Sequence, residues 1–370
     1  MGEEAGGWGQ CLRVLDEANI EDIALGAAVL GSGGGSNPYI GKLMAREAIR
    51  RYGPVELFTL DELDDDDLVA PAAGMGAPVV GVEKLPAGDD LLRAFEALGK
   101  YTGRTPRATM SIEAGGMNSI RPIYLAARLG IPVVDCDGMG RAFPEIQQTV
   151  LTAAGISASP FVMSDERGNV LLMDAVSNKW VETFARSCVI HMGAVGSIAL
   201  YSARVRQLKA AAIQGTTTLA ESIGRTLRQA RLYERNPVDA LRRAVGGFLV
   251  FRGKISDVDR RVRDGFAKGS ARMDGTGEFT GQALLIEFQN EYLVARLDGE
   301  FAATTPDLIA VLDSETSQPI TTESLRYGMR VAVIAIPCAR QWRAAQALAL
   351  VHPRYFGYDV DYVPVEARLG

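Results

Sequence analysis

"IRPIYLAARLGIPVVDCDGMGR", residues 120–141, holds one helix-to-strand unit, and its reading decides the fold class. IRPIYLAARLG reads as an amphipathic helix, and IPVVDCDG as a short β-branched strand that runs into glycines. The same alternation extends upstream. VELFTL, DDLVAPAAG and ATMSIEAGG have strand character, and LLRAFEALGKY between them is a second amphipathic helix. Strands alternating with helices predict an α/β domain, a parallel or mixed sheet covered by helices in a three-layer α/β/α sandwich. Three of the strand ends pass into a Gly-Met loop: AGMGAP at 73–78, EAGGMNS at 113–119 and DCDGMGR at 135–141. Ligand crevices in open α/β sheets form at the carboxyl ends of strands, so these loops are expected to converge on one cleft.

Toward the N-terminus, Asn19 is the expected cap of a helix through IALGAAVL, with Glu21 and Asp22 favouring its positive end. That helix stops at GSGGGSNP, and a second one, residues 39–51, carries Lys42, Arg46 and Arg50 at helical spacing. Residues 146–245 read as mainly helical, broken by a hairpin around FVMSDERGNVLLMDAV. CVIHMGAVGSIALYSARVRQL reads as a buried helix in which Gly193 and Gly196 permit close packing. Thr218 and Glu221 suggest a capping box, and Asn236-Pro237 a further helix start. After Gly246-Gly247 the texture turns to strands and turns: GGFLVFRGKI, GQALLIEFQNEYLVARLDG, DLIAVLDS and GMRVAVIAIP. The expected organisation is an α/β domain over 1–245, a β-rich domain over 246–340, and a segment over 341–370 that returns to the first.

A chain of 370 residues can bury a large core without staples. Its net charge of -6 offers no attraction for nucleic acid or anionic membrane, which leaves a small molecule as the expected ligand. Cys11, Cys136, Cys188 and Cys338 are scattered and form no CxxC pair, as expected of reduced thiols in the cytosol. MGEEAGGWGQ has no basic or apolar signal region, Gly6 stands where myristoylation needs Ser or Thr, and apolar runs stop short of the ~20 residues that span a bilayer. A cytoplasmic protein is expected. The acidic run at 64–67 reads as a solvated loop.

The glycine loop is not a dinucleotide fingerprint, because Ser36 occupies the third glycine position and a helix precedes it, and no GK[ST] follows. Ser32, Gly33 and Gly34 are instead candidates for bringing backbone N–H groups to an anionic or polar substrate, with a plain inter-helix turn as the alternative. Met75 and Gly76 belong to the first Gly-Met loop, and Glu113 and Asn118 to the second. A carboxylate at a strand end followed by glycines can hold a substrate N–H or act as a base; capping the next helix is its structural alternative. In the third loop the period of two puts Asp135 and Asp137 on one side and Cys136 on the other. These residues, with Arg141 and Glu145, form either a reaction centre or a helix cap paired to Arg141. A divalent metal on Asp135 and Asp137 is a further alternative. His191 lies in an apolar helix and is expected to be buried; His352, beside Arg354 in HPRYFGYD, is the better acid-base candidate. Neither GxSxG nor HExxH occurs.

LGSGGGSNP, EAGGMNSIRP, DCDGMGRAFPE and the tail FGYDVDYVP together resemble the S-methyl thiohydantoin desulfurase-like proteins, found near hydantoinase or oxoprolinase genes. The resemblance runs over nearly the whole chain. Many relatives carry glycine in place of Ser36, and a small residue in place of Cys136, so a thiol nucleophile here would define a subgroup. The resemblance implies an α/β sandwich with a β-rich domain in the C-terminal half. It also implies a small heterocyclic substrate and hydrolytic removal of methanethiol from an S-methyl thiohydantoin propionate, an intermediate of S-methyl ergothioneine breakdown. For that chemistry Cys136 is a candidate nucleophile, although Asp135 and Asp137 would raise its pKa. Glu113 or His352 would manage protons, and Arg141 or Arg354 would hold the propionate. No cofactor is expected unless a divalent metal activates water. The alternatives are a metal-dependent hydrolase of a hydantoin-like ring and a non-catalytic partner of a hydantoinase-type enzyme. A homodimer is the expected assembly.

Overall fold

The computed structural model describes residues 13–76, 80, 84, 87–233, 235–263 and 265–370; Cys11, the N-terminal MGEEAGGWGQ and Ala77-Pro78 of the first Gly-Met loop lie outside them. Strands β1 (Val14–Leu15), β2 (Val55–Phe58), β3 (Leu68–Gly76), β4 (Ala108–Met110) and β5 (Val133–Val134) build one half of a sheet. Past a short β6 (Cys136–Asp137), strands β7 (Phe161–Ser164), β8 (Val170–Met173), β9 (Val195–Ala199) and β10 (Ala203–Arg204) complete it. Its order is β1-β2-β5-β4-β3-β9-β7-β8, with β10 also on β3. The β2-β5-β4-β3 pairs are parallel and all others antiparallel, so the sheet is mixed. Parallel neighbours need long crossovers, and the helices Asp89–Thr102 and Arg121–Leu129 lie within them.

Both faces of this sheet are buried. Successive strand residues point to opposite sides, and Ala70, Val133, Val162 and Ala199 join one apolar cluster while Val69, Val134, Met163 and Ile198 join another. The first cluster includes residues of the helices Glu17–Leu30, Asp89–Thr102, Arg121–Leu129 and Thr216–Leu232, the second residues of the helices Asn178–His191 and Ala345–Val351.

A separate antiparallel sheet of seven strands follows: after β11 (Ile213–Gln214), which pairs with β6, come β12 (Phe248–Arg263), β13 (Phe266–Gly275), β14 (Ala283–Gln289), β15 (Glu291–Leu297), β16 (Glu300–Thr304), β17 (Leu308–Asp313) and β18 (Arg330–Ile336). Its order is β16-β15-β14-β13-β12-β18-β17, a half-barrel with its own apolar core. Mixed α/β with a β-rich second unit is therefore the architecture. No helix among the described residues is long and apolar enough to cross a membrane.

Several local expectations need correction. The first helix is capped by Asp16, and Asn19 closes the capping box from its third position. The stretch at 188–208 is not one helix: Asn178–His191 ends at a left-handed turn through Gly193 and Ala194, and β9 then enters the centre of the sheet beside β3. The helix end is largely exposed, with Val189 its one buried residue after Ala185, whereas four of the five residues of β9 are buried; a short apolar run does not tell the two apart. His191 is exposed at that helix end. Thr218 and Glu221 form no capping box; Glu221 pairs with Arg13 and Arg225, and the helix Thr216–Leu232 begins after Gly215. The hairpin β7-β8 and the start at Asn236, whose side chain accepts from Val238 and Asp239 N–H, follow the reading from sequence.

Candidate active site

A cavity of about 130 Å3 opens where the Gly-Met loops meet β9 and the β-rich unit. An apolar cavity of ~150 Å3 holds benzene, so the space suits one small ring. Ala73 to Gly76 line it from the end of β3, Glu113, Met117 and Asn118 from the loop after β4, Met139 from the loop after β6, and Asn290 and Glu291 from the β14-β15 hairpin.

Glu113 is 6% exposed. Asn118 Nδ2 donates to its Oε1 at 2.7 Å and to Gly74 O at 3.1 Å, while Asn118 Oδ1 accepts from Gly74 N at 2.7 Å. Asn118 is thus a bracket between two loops that sets the carboxylate in place. Burial pushes the Glu113 carboxyl up to about 7, against the pull of Asn118 and the Phe143 N–H.

Asp137 lies behind this residue rather than in the cavity. Its Oδ2 accepts from Ala114 N at 2.7 Å, Met139 N at 3.1 Å and Gly140 N at 2.7 Å, so it ties the third loop to the second at the residue after Glu113. Burial raises it to about 7 as well. Asp135 points elsewhere: it accepts from Thr217 N, Thr218 N and the Thr218 hydroxyl, and so caps the helix Thr216–Leu232 across the fold. The two aspartates do not converge, and among the described residues no group of three or more His, Cys, Asp or Glu is arranged to hold a metal.

Cys136 is 0% exposed within the second apolar cluster, its Sγ 3.7 Å from Met110 Sδ, and does not line the cavity. Burial, then the charges of Asp137 and Asp135, drives its thiol well above the ordinary range. A thiol there is out of reach of a molecule in the cavity, so the structure lends no support to its reading as nucleophile.

Arg141 is also fully buried, and four of its N–H groups are taken: Nε by Ala142 O at 3.0 Å, Nη1 by Pro306 O at 3.2 Å and Asp307 O at 2.7 Å, Nη2 by Tyr292 O at 3.0 Å. It joins the third loop to the β-rich unit and is not free for a substrate carboxylate. Arg354 is exposed and pairs with Asp359 and Asp361, and His352 faces the Arg354 and Tyr362 N–H groups; neither lines the cavity. Ser32 Oγ bonds both N and O of Ile309, and Gly33 O accepts from Thr322 N, so that part of the glycine loop docks the second sheet. Gly35 and Ser36, one step further, line the cavity. A Cβ on Gly34 would overlap the Glu291 carboxyl, so glycine there makes room for a side chain from the other unit. Met75, Gly76 and Glu145 also line it, Glu145 being held by Lys179 and Tyr355.

Several lining residues had no signal in the sequence. Arg121 reads as a helix start, yet its guanidinium faces the cavity with a hydrogen bond to Ser197 Oγ at 2.9 Å, and its Nε has no partner among the described residues. Ser197 Oγ in turn donates to Asp90 at 2.7 Å. Lys84 lies at 2.7 Å from Glu166, both partly exposed at the cavity. Glu291 sits in a hairpin that reads as ordinary β structure.

Among curated proteins none matches the sequence. A crystal structure of a protein from Chromobacterium violaceum is similar in fold, with a TM-score of 0.80 at 24% identity over 95% of this chain and 100% of that one. The model of the S-Me-THD-like N-terminal domain matches residues 18–175 and that of the S-Me-THD-like C-terminal domain residues 176–365. The boundary between the two models follows β8, well before the antiparallel sheet begins at Phe248. With nearly its whole length accounted for, the chain belongs to the S-Me-THD-like family.

Proposed function

We propose that the chain is a hydrolase that removes methanethiol from an S-methyl thiohydantoin bearing a carboxylate arm, with water as nucleophile and Glu113 as its base. The observation that carries this reading is Glu113 itself: a carboxylate on the wall of a ring-sized cavity, oriented by Asn118 and raised to about 7, where a base operates near neutral pH. Membership of the family supports the substrate class.

The ring carbon that bears sulfur is an isothiourea centre. Water gives a proton to Glu113 and its oxygen adds to that carbon; the C–S bond breaks, methanethiol leaves with a proton, and the carbon becomes the carbonyl of a hydantoin. The missing side chain of Gly74 gives the Arg121 guanidinium its place at the cavity wall. Arg121 supports an anionic arm: a half-buried guanidinium with one hydrogen bond keeps donors for a carboxylate.

Methanethiol release from S-methyl thiohydantoin propionate, with hydantoin propionate as the parallel substrate, tests the reading. Release that survives a chelator is the expected result. Loss on chelation, or turnover of the unmodified hydantoin alone, would replace it with a metal-dependent hydrolase. Turnover of neither ring would favour a binding role.

Two variants sharpen the assignment. Cys136→Ala should keep its kcat and lose roughly 1–2 kcal/mol of stability, as a buried atom removed from a packed core does. Arg121→Met should raise KM for the propionate substrate by about 10- to 100-fold at similar kcat, the loss of a charge-assisted bond made equally in ground and transition states. The neutral amide analogue should show no such rise.

A further inference from the structure

Resting on that hydrolytic reading, we propose that Glu291, reaching the cavity from the half-barrel, is a second catalytic carboxyl: it delivers a proton to the ring nitrogen while Glu113 takes one from water. Neither unit alone then contains the acid-base pair.

Glu291 opens β15 at the tip of the β14-β15 hairpin, where Asn290 takes the left-handed conformation. The tip is held firmly. Asn290 exchanges two hydrogen bonds of 2.8 Å with Ala267, N to O and Oδ1 from N, and its own carbonyl accepts from Thr322 Oγ1 at 2.6 Å. Tyr292, directly after Glu291, is tied to the first unit by its N–H to Ser32 O at 2.7 Å. The carboxyl therefore enters the cavity from a fixed backbone, through the gap left by the missing side chain of Gly34.

Glu291 is 3% exposed, it has no ion pair, and its Oε2 meets no hydrogen-bond partner among the described residues. A buried anion with an oxygen left without a donor is costly, which favours the neutral acid. The charged groups facing it are Glu113, Arg141 on the third loop and Arg186 from the helix Asn178–His191. Both arginines are engaged, Arg141 by main-chain carbonyls and Arg186 by Glu182 and Pro144 O. Burial, and then the negative charge of Glu113, holds the Glu291 carboxyl well above the usual carboxylate range. The other acids at the cavity are committed: Asp90 to Ser197, Glu145 to Lys179 and Glu166 to Lys84. Glu113 has the Asn118 amide and the Phe143 N–H to favour its anion, whereas Glu291 has only its own N–H and leaves Oε2 without a partner among the described residues, so the environments split the pair into a base and an acid.

The proton balance closes over one turnover. As hydroxide oxygen adds to the ring carbon, the C=N electron pair moves to nitrogen and takes the proton of Glu291. When the C–S bond breaks, the departing sulfur takes the proton that Glu113 received. The hydroxyl group of the intermediate returns its proton to Glu291 as the new carbonyl forms, and both carboxyls regain their starting states.

The test uses the full chain and S-methyl thiohydantoin propionate. A bell-shaped pH profile of kcat/KM is expected, its acid limb from Glu113 and its alkaline limb from Glu291. Glu291→Gln should lower kcat about 100-fold, leave KM unchanged and abolish the alkaline limb. Glu291→Asp should restore that limb at reduced rate. Independently of turnover, infrared difference spectra at pH 8 should show a protonated carboxyl band that disappears in Glu291→Gln and persists in Glu113→Gln. A band or an alkaline limb that survives Glu291→Gln overturns the proposal. Absence of methanethiol from the wild type overturns the hydrolytic reading and the catalytic role together, and the infrared band then reports only where the proton sits.

Discussion

In a Glu113→Gln variant, methanethiol release is expected to fall by about 10^2- to 10^4-fold while the folded chain becomes more stable above pH 7. The two effects have one cause. Burial that raises the carboxyl from 4.5 to about 7 makes it a base suited to neutral pH, and the same burial makes its ionised form a burden on the fold. Below the unfolded value of about 4.5 both states hold the proton and the group costs nothing. Between about 4.5 and 7 the unfolded chain ionises first, so stability falls as pH rises through that window, by on the order of 3 kcal/mol once the folded group has also lost its proton. Gln keeps the oxygen that Asn118 donates to and removes the charge. Thermal unfolding of variant and wild type should therefore coincide near pH 4 and separate above pH 7, with the variant higher. A variant that is no more stable at pH 8 would show that Glu113 is not held in an anion-hostile site. Full activity in the same variant would remove it from the reaction.

Replacing Arg141 by Met should destabilise the chain by roughly 4 kcal/mol or more, a large share of the 5–15 kcal/mol that holds a typical domain together. The guanidinium lies 4.6 Å from the centre of the Phe143 ring and donates to four carbonyls, of Ala142, Tyr292, Pro306 and Asp307. Three of those belong to the β-rich unit. Met fills much of the volume but leaves the carbonyls buried without donors, each at a cost of about 1–3 kcal/mol before relaxation. Burial pulls the Arg141 guanidinium down to about 10, so the charge persists at neutral pH and also faces Glu113 and Glu291. Chemical unfolding should show the lowered midpoint. Arg141→Lys should recover only part of the loss, because an ammonium cannot span carbonyls on both sides. A small effect from Met would mean that apolar contact and the hydrogen bonds of the glycine loop suffice to hold the two units.

The strand ends were legible because glycine after a β-branched run has few other uses, and Glu113 stood out as a carboxylate at such an end. The loops that carry it do line one cavity. The hairpin at β7-β8 and the helix after Asn236 were equally plain from turn and cap residues. What could not be read was direction. Asp135, Cys136 and Asp137 are consecutive, yet one caps a helix from a distance, one packs against Met110 in the core and one ties two loops. Arg141 attracted attention as a loop cation and is wholly engaged by backbone, whereas Arg121 was hidden inside an ordinary helix signal. Glu291 gave no sign at all, because its partners are Gly34 and Glu113, far away in the chain.

Local order, the alternation of helix and strand, the turn to β structure after Gly247 and the loops at strand ends follow from periodicity and from the backbone freedom of glycine, which act over a few residues and so are written in the sequence. Which side chains face the cavity and which arginine is engaged by backbone were decided only by tertiary packing, within the first unit and against the half-barrel. Burial and long-range hydrogen bonds set those properties, and both are sums over neighbours that the chain brings together only by folding.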